Sequence, residues 1–141
     1  MKQFGVQMID NSISSQWWKT IMKHFVKIGN LFEIRCWREE ISEIESASLY
    51  GVAVDDKYEV SIKGSVTKEL LEKLLIEEPT DKSIYNKMTK YFTIHVENDL
   101  CNIWSEHYGT EMAIDIISDA DIEFFEKVMK QYSESFSIRI S

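Results

Sequence analysis

Apolar and polar positions alternate along much of this chain, and where the alternation stops a helical spacing takes over. In residues 3–9, Phe4, Val6 and Met8 share one side, as in a short strand. Ser14 or Ser15 then stands where a hydroxyl can cap a helix over about 15–29. In that helix Trp18, Ile21, Met22, Phe25 and Ile28 form one stripe, Lys19, Lys23 and Lys27 lie outside it, and Gly29-Asn30 supplies a stop. Leu31–Trp37 reads as a strand with Phe32, Ile34 and Cys36 on one face and Glu33, Arg35 and Trp37 on the other. Residues 38–46 follow as a loop or one short helical turn. Residues 47–63 read as a hairpin turning at Asp55-Asp56, which sets Leu49 against Ile62, Gly51 against Val60 and Ala53 against Tyr58.

The second half repeats the two periods. Residues 67–78 form a helix capped by Thr67 and ended by Pro79, with Leu70, Leu71, Leu74 and Leu75 inward, and Ile84 and Met88 suggest one more short helical segment. Residues 91–97, 100–107 and 110–117 read as a three-stranded meander turning near Asn98-Asp99 and Tyr108-Gly109. Ile94 then faces Ile103 and Ile114, Val96 faces Cys101 and Ile116, and Phe92 and Met112 complete the apolar face. The polar face holds Thr93, His95, Glu97, Asn102, Trp104, Glu106, Glu111, Ala113 and Asp115. Ser118 caps a helix over about 119–132 with Ile122, Phe125, Val128, Met129 and Tyr132 inward, and 135–140 is a last strand. The predicted fold is α+β: a mostly antiparallel sheet of about six or seven strands with three main helices packed against it.

Length and composition change little in that picture. The 141 residues suit one domain, 1–141, large enough to bury a core without disulfides or a structural metal. Two cysteines, no signal-peptide pattern and no run of eighteen apolar residues lead us to expect a cytoplasmic protein.

Charge matters more. The net charge is −8, and residues 1–35 carry +3, 36–81 carry −7 and 82–141 carry −4, which sum to that total. Nucleic acid and anionic membranes are bound through lysine and arginine, so neither is an expected partner; a basic protein would be steered in.

The search for chemistry returns no catalytic residue, no metal site and no cofactor motif: no glycine-rich phosphate loop, nucleophile elbow or zincin helix occurs. His95, Cys101 and His107 have an H-x5-C-x5-H spacing, but the meander register turns Cys101 to the apolar face and His95 to the other, so they do not share an ion. Cys36 and Cys101 read as core thiols.

Two features stand out. One is the acidic run Glu39, Glu40, Glu43 and Glu45, whose default reading is a solvated charge run. The other is Trp104 among His95, Asn102, Glu106 and Asp115. A tryptophan there either packs under a helix, with the sheet covered on both faces, or faces a partner as an aromatic anchor in a charged rim. Size, acidity and absent catalytic motifs lead us to expect a non-enzymatic inhibitor: a bacterial immunity protein that binds a basic toxin, such as a nuclease, through Glu39, Glu40, Glu43, Glu45, His95, Trp104, Glu106 and Asp115. The alternatives are a small-ligand-binding domain or enzyme with a pocket between sheet and helices, and a regulatory module that self-associates through the same face.

Overall fold

A computed structural model of the chain describes residues 1–79 and 86–141. Eight strands form one antiparallel sheet: β1 (Lys2–Met8), β2 (Leu31–Trp37), β3 (Val52–Asp56), β4 (Glu59–Ser65), β5 (Thr93–Glu97), β6 (Cys101–Glu106), β7 (Glu111–Ile116) and β8 (Phe136–Ile140), in the spatial order β3-β4-β2-β5-β6-β7-β1-β8. Among the described residues four helices accompany it: α1 (Gln16–Phe25), α2 (Ile41–Ser48), α3 (Lys68–Ile76) and α4 (Asp119–Lys130). The α+β class is as predicted, with more elements than expected: eight strands for six or seven, and four helices for three. Residues 41–48 are the added helix, not a loop or a single turn. None of the helices is long and apolar enough to cross a membrane.

The helices crowd one face of the sheet. Alternation in β2, β5, β6 and β7 turns Phe32, Ile34, Cys36, Ile94, Val96, Ile103, Ile114 and Ile116 toward them, and all are buried. The α1 stripe meets this face with Trp17, Trp18, Ile21, Met22 and Phe25, and α1 also packs against α3 and α4. Polar atoms drawn into this layer are satisfied: Trp18 Nε1 donates to Ser105 Oγ at 2.9 Å and Trp17 Nε1 to Met88 Sδ at 3.2 Å. The Thr67 and Ser118 side chains accept from the Leu70 and Asp121 amides, as predicted caps should. Ser15 precedes α1 but makes no capping bond; its hydroxyl donates to Glu78 instead.

Several registers differ from the predicted ones, always by an even number of residues, so each side chain keeps its face. In the meander Ile94 lies opposite Ser105 and Val96 opposite Ile103, a slip of two; Ile103–Ile114 and Cys101–Ile116 are as predicted. The slip comes from Asn98, whose Oδ1 accepts from the Leu100 and Cys101 amides and so builds a longer turn. In the β3–β4 hairpin Ala53 pairs with Ile62, a slip of four, because α2 occupies 41–48 and the turn moves to Lys57-Tyr58, with Lys57 at φ 58°.

Two apolar assignments change. Ile28 is exposed, since α1 ends at Phe25. Phe92 precedes β5 and leaves the apolar face, which takes the buried Tyr91 instead. Met88 is buried in a non-helical stretch, and Ile84 lies outside the described residues.

Candidate functional site

The opposite face of the sheet is not covered by any helix among the described residues. Among the described residues Trp104 therefore does not lie under a helix: they give the sheet one packed face and one open face. Cross-strand pairing lays a row over the open face, Lys63–Glu33–His95–Trp104–Ala113–Gly5–Arg139, drawn from seven strands. The row places His95 directly opposite Trp104, and their rings stack at 4.6 Å between centroids and 7° between planes. Ala113 and Gly5 then leave a gap, and the Arg139 side chain folds over Gly5, its Nη2 3.4 Å from where a Cβ would sit.

A groove of about 400 Å³ opens beside the stack, lined by Glu33, Arg35, Glu59, Phe92, Thr93, His95, Trp104, Glu106 and His107. Arg35 organises one wall. Its guanidinium donates to Asp56 at 2.5 Å, to Glu33 at 2.9 Å and to Glu59 at 3.2 Å. The hydrogen bond to Asp56 is the main cause that holds Arg35 firmly protonated. Burial pushes the Glu33 carboxyl up, but the Ser61 hydroxyl and Arg35 outweigh it and hold Glu33 below the usual carboxylate range. Phe92 forms the other wall, packed on Trp37 at 4.8 Å and edge-on to His107 at 5.4 Å.

The β6–β7 connection fixes the groove's end. His107, Tyr108 and Gly109 have φ of 50°, 60° and 82°, a run of left-handed residues that winds the tip tightly. A Cβ on Gly109 would come within 2.7 Å of Met88 Cβ, so the tip accepts no side chain there. His107 Nδ1 lies 2.8 Å from Glu111 Oε2, and Glu111 stands directly across from Glu106. Ligand atoms of these three residues lie within 4.8 Å of one another, close enough to hold a divalent cation, although all three are at least partly exposed. This trio differs from the His95, Cys101 and His107 spacing weighed from the sequence. His95 and Cys101 do lie on opposite faces, and Cys101 is buried, which pushes its thiol up to about 11.

The predicted site residues separate into two groups. His95, Trp104, Glu106 and Asp115 share the open face, Asp115 in the neighbouring row opposite Asn102. The acidic run does not join them. Residues 41–48 form α2, whose Ala47 and Ile44 belong to the core on the helix side. Glu39 and Glu45 are exposed there and Glu43 is half-buried. Glu40 turns inward: its carboxylate accepts from the Trp37 amide at 2.8 Å and from the Tyr108 hydroxyl at 3.1 Å, and burial raises its pKa despite both bonds. Glu33, Arg35, Glu59 and Phe92 belong to the groove but were not singled out from the sequence, and His107, which also lines it, was weighed only in the rejected metal spacing.

On the helix side a groove of about 630 Å³ is lined by Lys19, Lys23 and Lys27 with His24, Leu75 and Phe124. On the open face Glu33, Glu59, Glu97, Glu106, Glu111 and Asp115 outnumber Arg35, Lys63 and Arg139. His95 Nε2 and Asn102 Oδ1 are buried there with no hydrogen-bond partner. Such groups are costly to leave unpaired. No protein-family model matches the chain, and neither a curated protein nor a solved structure does.

Proposed function

We propose that this is a cytoplasmic, non-enzymatic binding protein of the bacterial immunity class, which blocks a basic toxin such as a nuclease, and that the open sheet face is the surface it uses. The observation that carries the reading is Trp104, stacked on His95 on an uncovered sheet and ringed by carboxylates. An aromatic anchor inside a charged rim is the chemistry of a protein interface. A basic enzyme that expects phosphates meets carboxylates instead, and complementary charge speeds its approach.

The second reading is a small-ligand site in the same groove. Its volume of about 400 Å³ lies within the usual range for ligand pockets, and His95 Nε2 offers an unpaired ring atom beside it. Its breadth and openness favour a protein surface over an enclosed ligand.

Affinity capture of the tagged protein with the proteins encoded beside it, followed by mass spectrometry, tests the first reading. Recovery of a basic protein whose activity this chain suppresses supports it. Recovery of metabolites with no protein partner overturns it in favour of the second.

A further inference from the structure

The two edges of the sheet are finished differently. At the β8 edge Arg139 folds back across Gly5, and Phe136 is buried with its ring 4.6 Å from that of Trp17. At the β3 edge all five residues, Val52–Asp56, are exposed, with Val52 at 73% and Val54 at 60%. Its only charges are Asp55 and Asp56 at one end; it has no lysine, proline or bulge, and no described strand pairs with its outer side. Exposed edges of this kind are templates for strand pairing, and proteins normally blunt them.

The geometry points to a second copy of this chain as the occupant, joined antiparallel, β3 to β3, about a twofold axis through Val54. This register pairs all five residues: Val54 meets Val54 of the second copy, Ala53 meets its Asp55, and Val52 meets its Asp56. Each carboxylate faces an apolar residue, and no aspartate stands opposite another. An axis at Asp55 would set Asp55 against itself, which cross-strand electrostatics disfavours. Lys63 pairs with Val52 within one copy, so the row runs Lys63, Val52 and then Asp56 of the second copy, with the lysine's long side chain on the same face as that carboxylate across Val52, and the symmetry provides this arrangement twice. The result is one sheet running through both copies. Trp104, in β6, lies four strands from β3, so each copy keeps its open face. The inference is independent of the proposed function, and it moves self-association from the Trp104 face to the β3 edge.

Sedimentation velocity from low micromolar to near-millimolar concentration tests it. The expected species shifts from 16.6 kDa to twice that mass. Val54→Lys sets two ammonium groups face to face and should weaken association by at least about tenfold. Val54→Cys supplies a second readout, because Cys36 and Cys101 are buried and leave the new thiol as the accessible one. On mild oxidation Val54→Cys should give a disulfide-linked dimer, while Val52→Cys, which faces Asp56 of the other copy, should not. A wild-type protein that stays at 16.6 kDa throughout, or a dimer that Val54→Lys leaves intact, overturns the inference.

Discussion

His95 and Trp104 lie ring on ring, 4.6 Å apart, at the middle of a sheet face that carries no covering helix among the described residues. Stacking on one another lowers the apolar area each exposes, and it holds the indole rigid before any partner arrives. Rigid aromatics lose little entropy on binding, which suits an anchor. Trp104→Ala should therefore cost little stability, about 1 kcal/mol or less, because the ring is only partly buried. It should weaken binding of the captured partner by about thirtyfold or more, the range of a hot-spot residue. Urea denaturation and calorimetric titration separate the two effects. A large stability loss with unchanged affinity would assign Trp104 to the scaffold.

The Arg35 cluster makes a prediction about acid. Glu33 and Asp56 are held below their ordinary values of 4.5 and 3.8. For groups with depressed folded pKa values, the unfolded chain takes up protons first as pH falls. Their contribution is therefore present above those ordinary values and disappears as pH drops through the folded ones. Arg35→Gln should lower the melting temperature at about pH 7, and the gap from wild type should close toward about pH 3. A gap that stays constant across that range would mean that Arg35 acts through packing alone.

The thiols give a chemical test of the core. Burial pushes Cys36 up to about 12, with Glu40 and Glu43 adding to the effect, and Cys101 up to about 11. Neither should react with a thiol-exchange reagent at about pH 8 in the native protein, since the thiolate is the reactive form. Both should react at once in denaturant. Rapid native modification of either would contradict the placement of its strand.

Helix α4 starts at a side-chain cap, Ser118 Oγ accepting from the Asp121 amide at 3.1 Å. Ser118→Ala should cost about 1 kcal/mol by denaturant titration, and Ser118→Asp should recover most of it. Ser15→Ala is the informative contrast: it has no capping bond to lose, so its effect should come through Glu78 alone.

Much of this arrangement was legible in the sequence, and the exceptions share a cause. Alternation placed Phe32, Ile34 and Cys36 on one face of β2 and Trp104 opposite Cys101 in β6, since period two is a local property. Caps at Thr67 and Ser118 were legible because they too are local. What failed was non-local or set by loops. The Asn98 turn slipped one register by two residues and the Lys57 turn slipped another by four. Nothing near Arg35 announces that β2 lies beside β5, so the groove between Arg35, Phe92 and His95 was invisible. The acidic run read as one surface, but the turn between β2 and α2 sends Glu40 inward to Tyr108 while Glu39 and Glu45 point to solvent. The sequence also offered no sign that the Trp104 face lies bare, because a covered sheet shows the same alternation.

The central claim is that the carboxylates around Trp104 receive a basic partner. The most direct measurement is the association rate of the captured partner at low salt, compared between wild type, Glu106→Lys/Asp115→Lys on the open face and Glu39→Lys/Glu45→Lys in and just before α2. The open-face variant should associate at least about tenfold more slowly, with a flatter salt dependence, and the α2 variant should change much less. Equal association rates for the open-face variant and wild type would contradict the account.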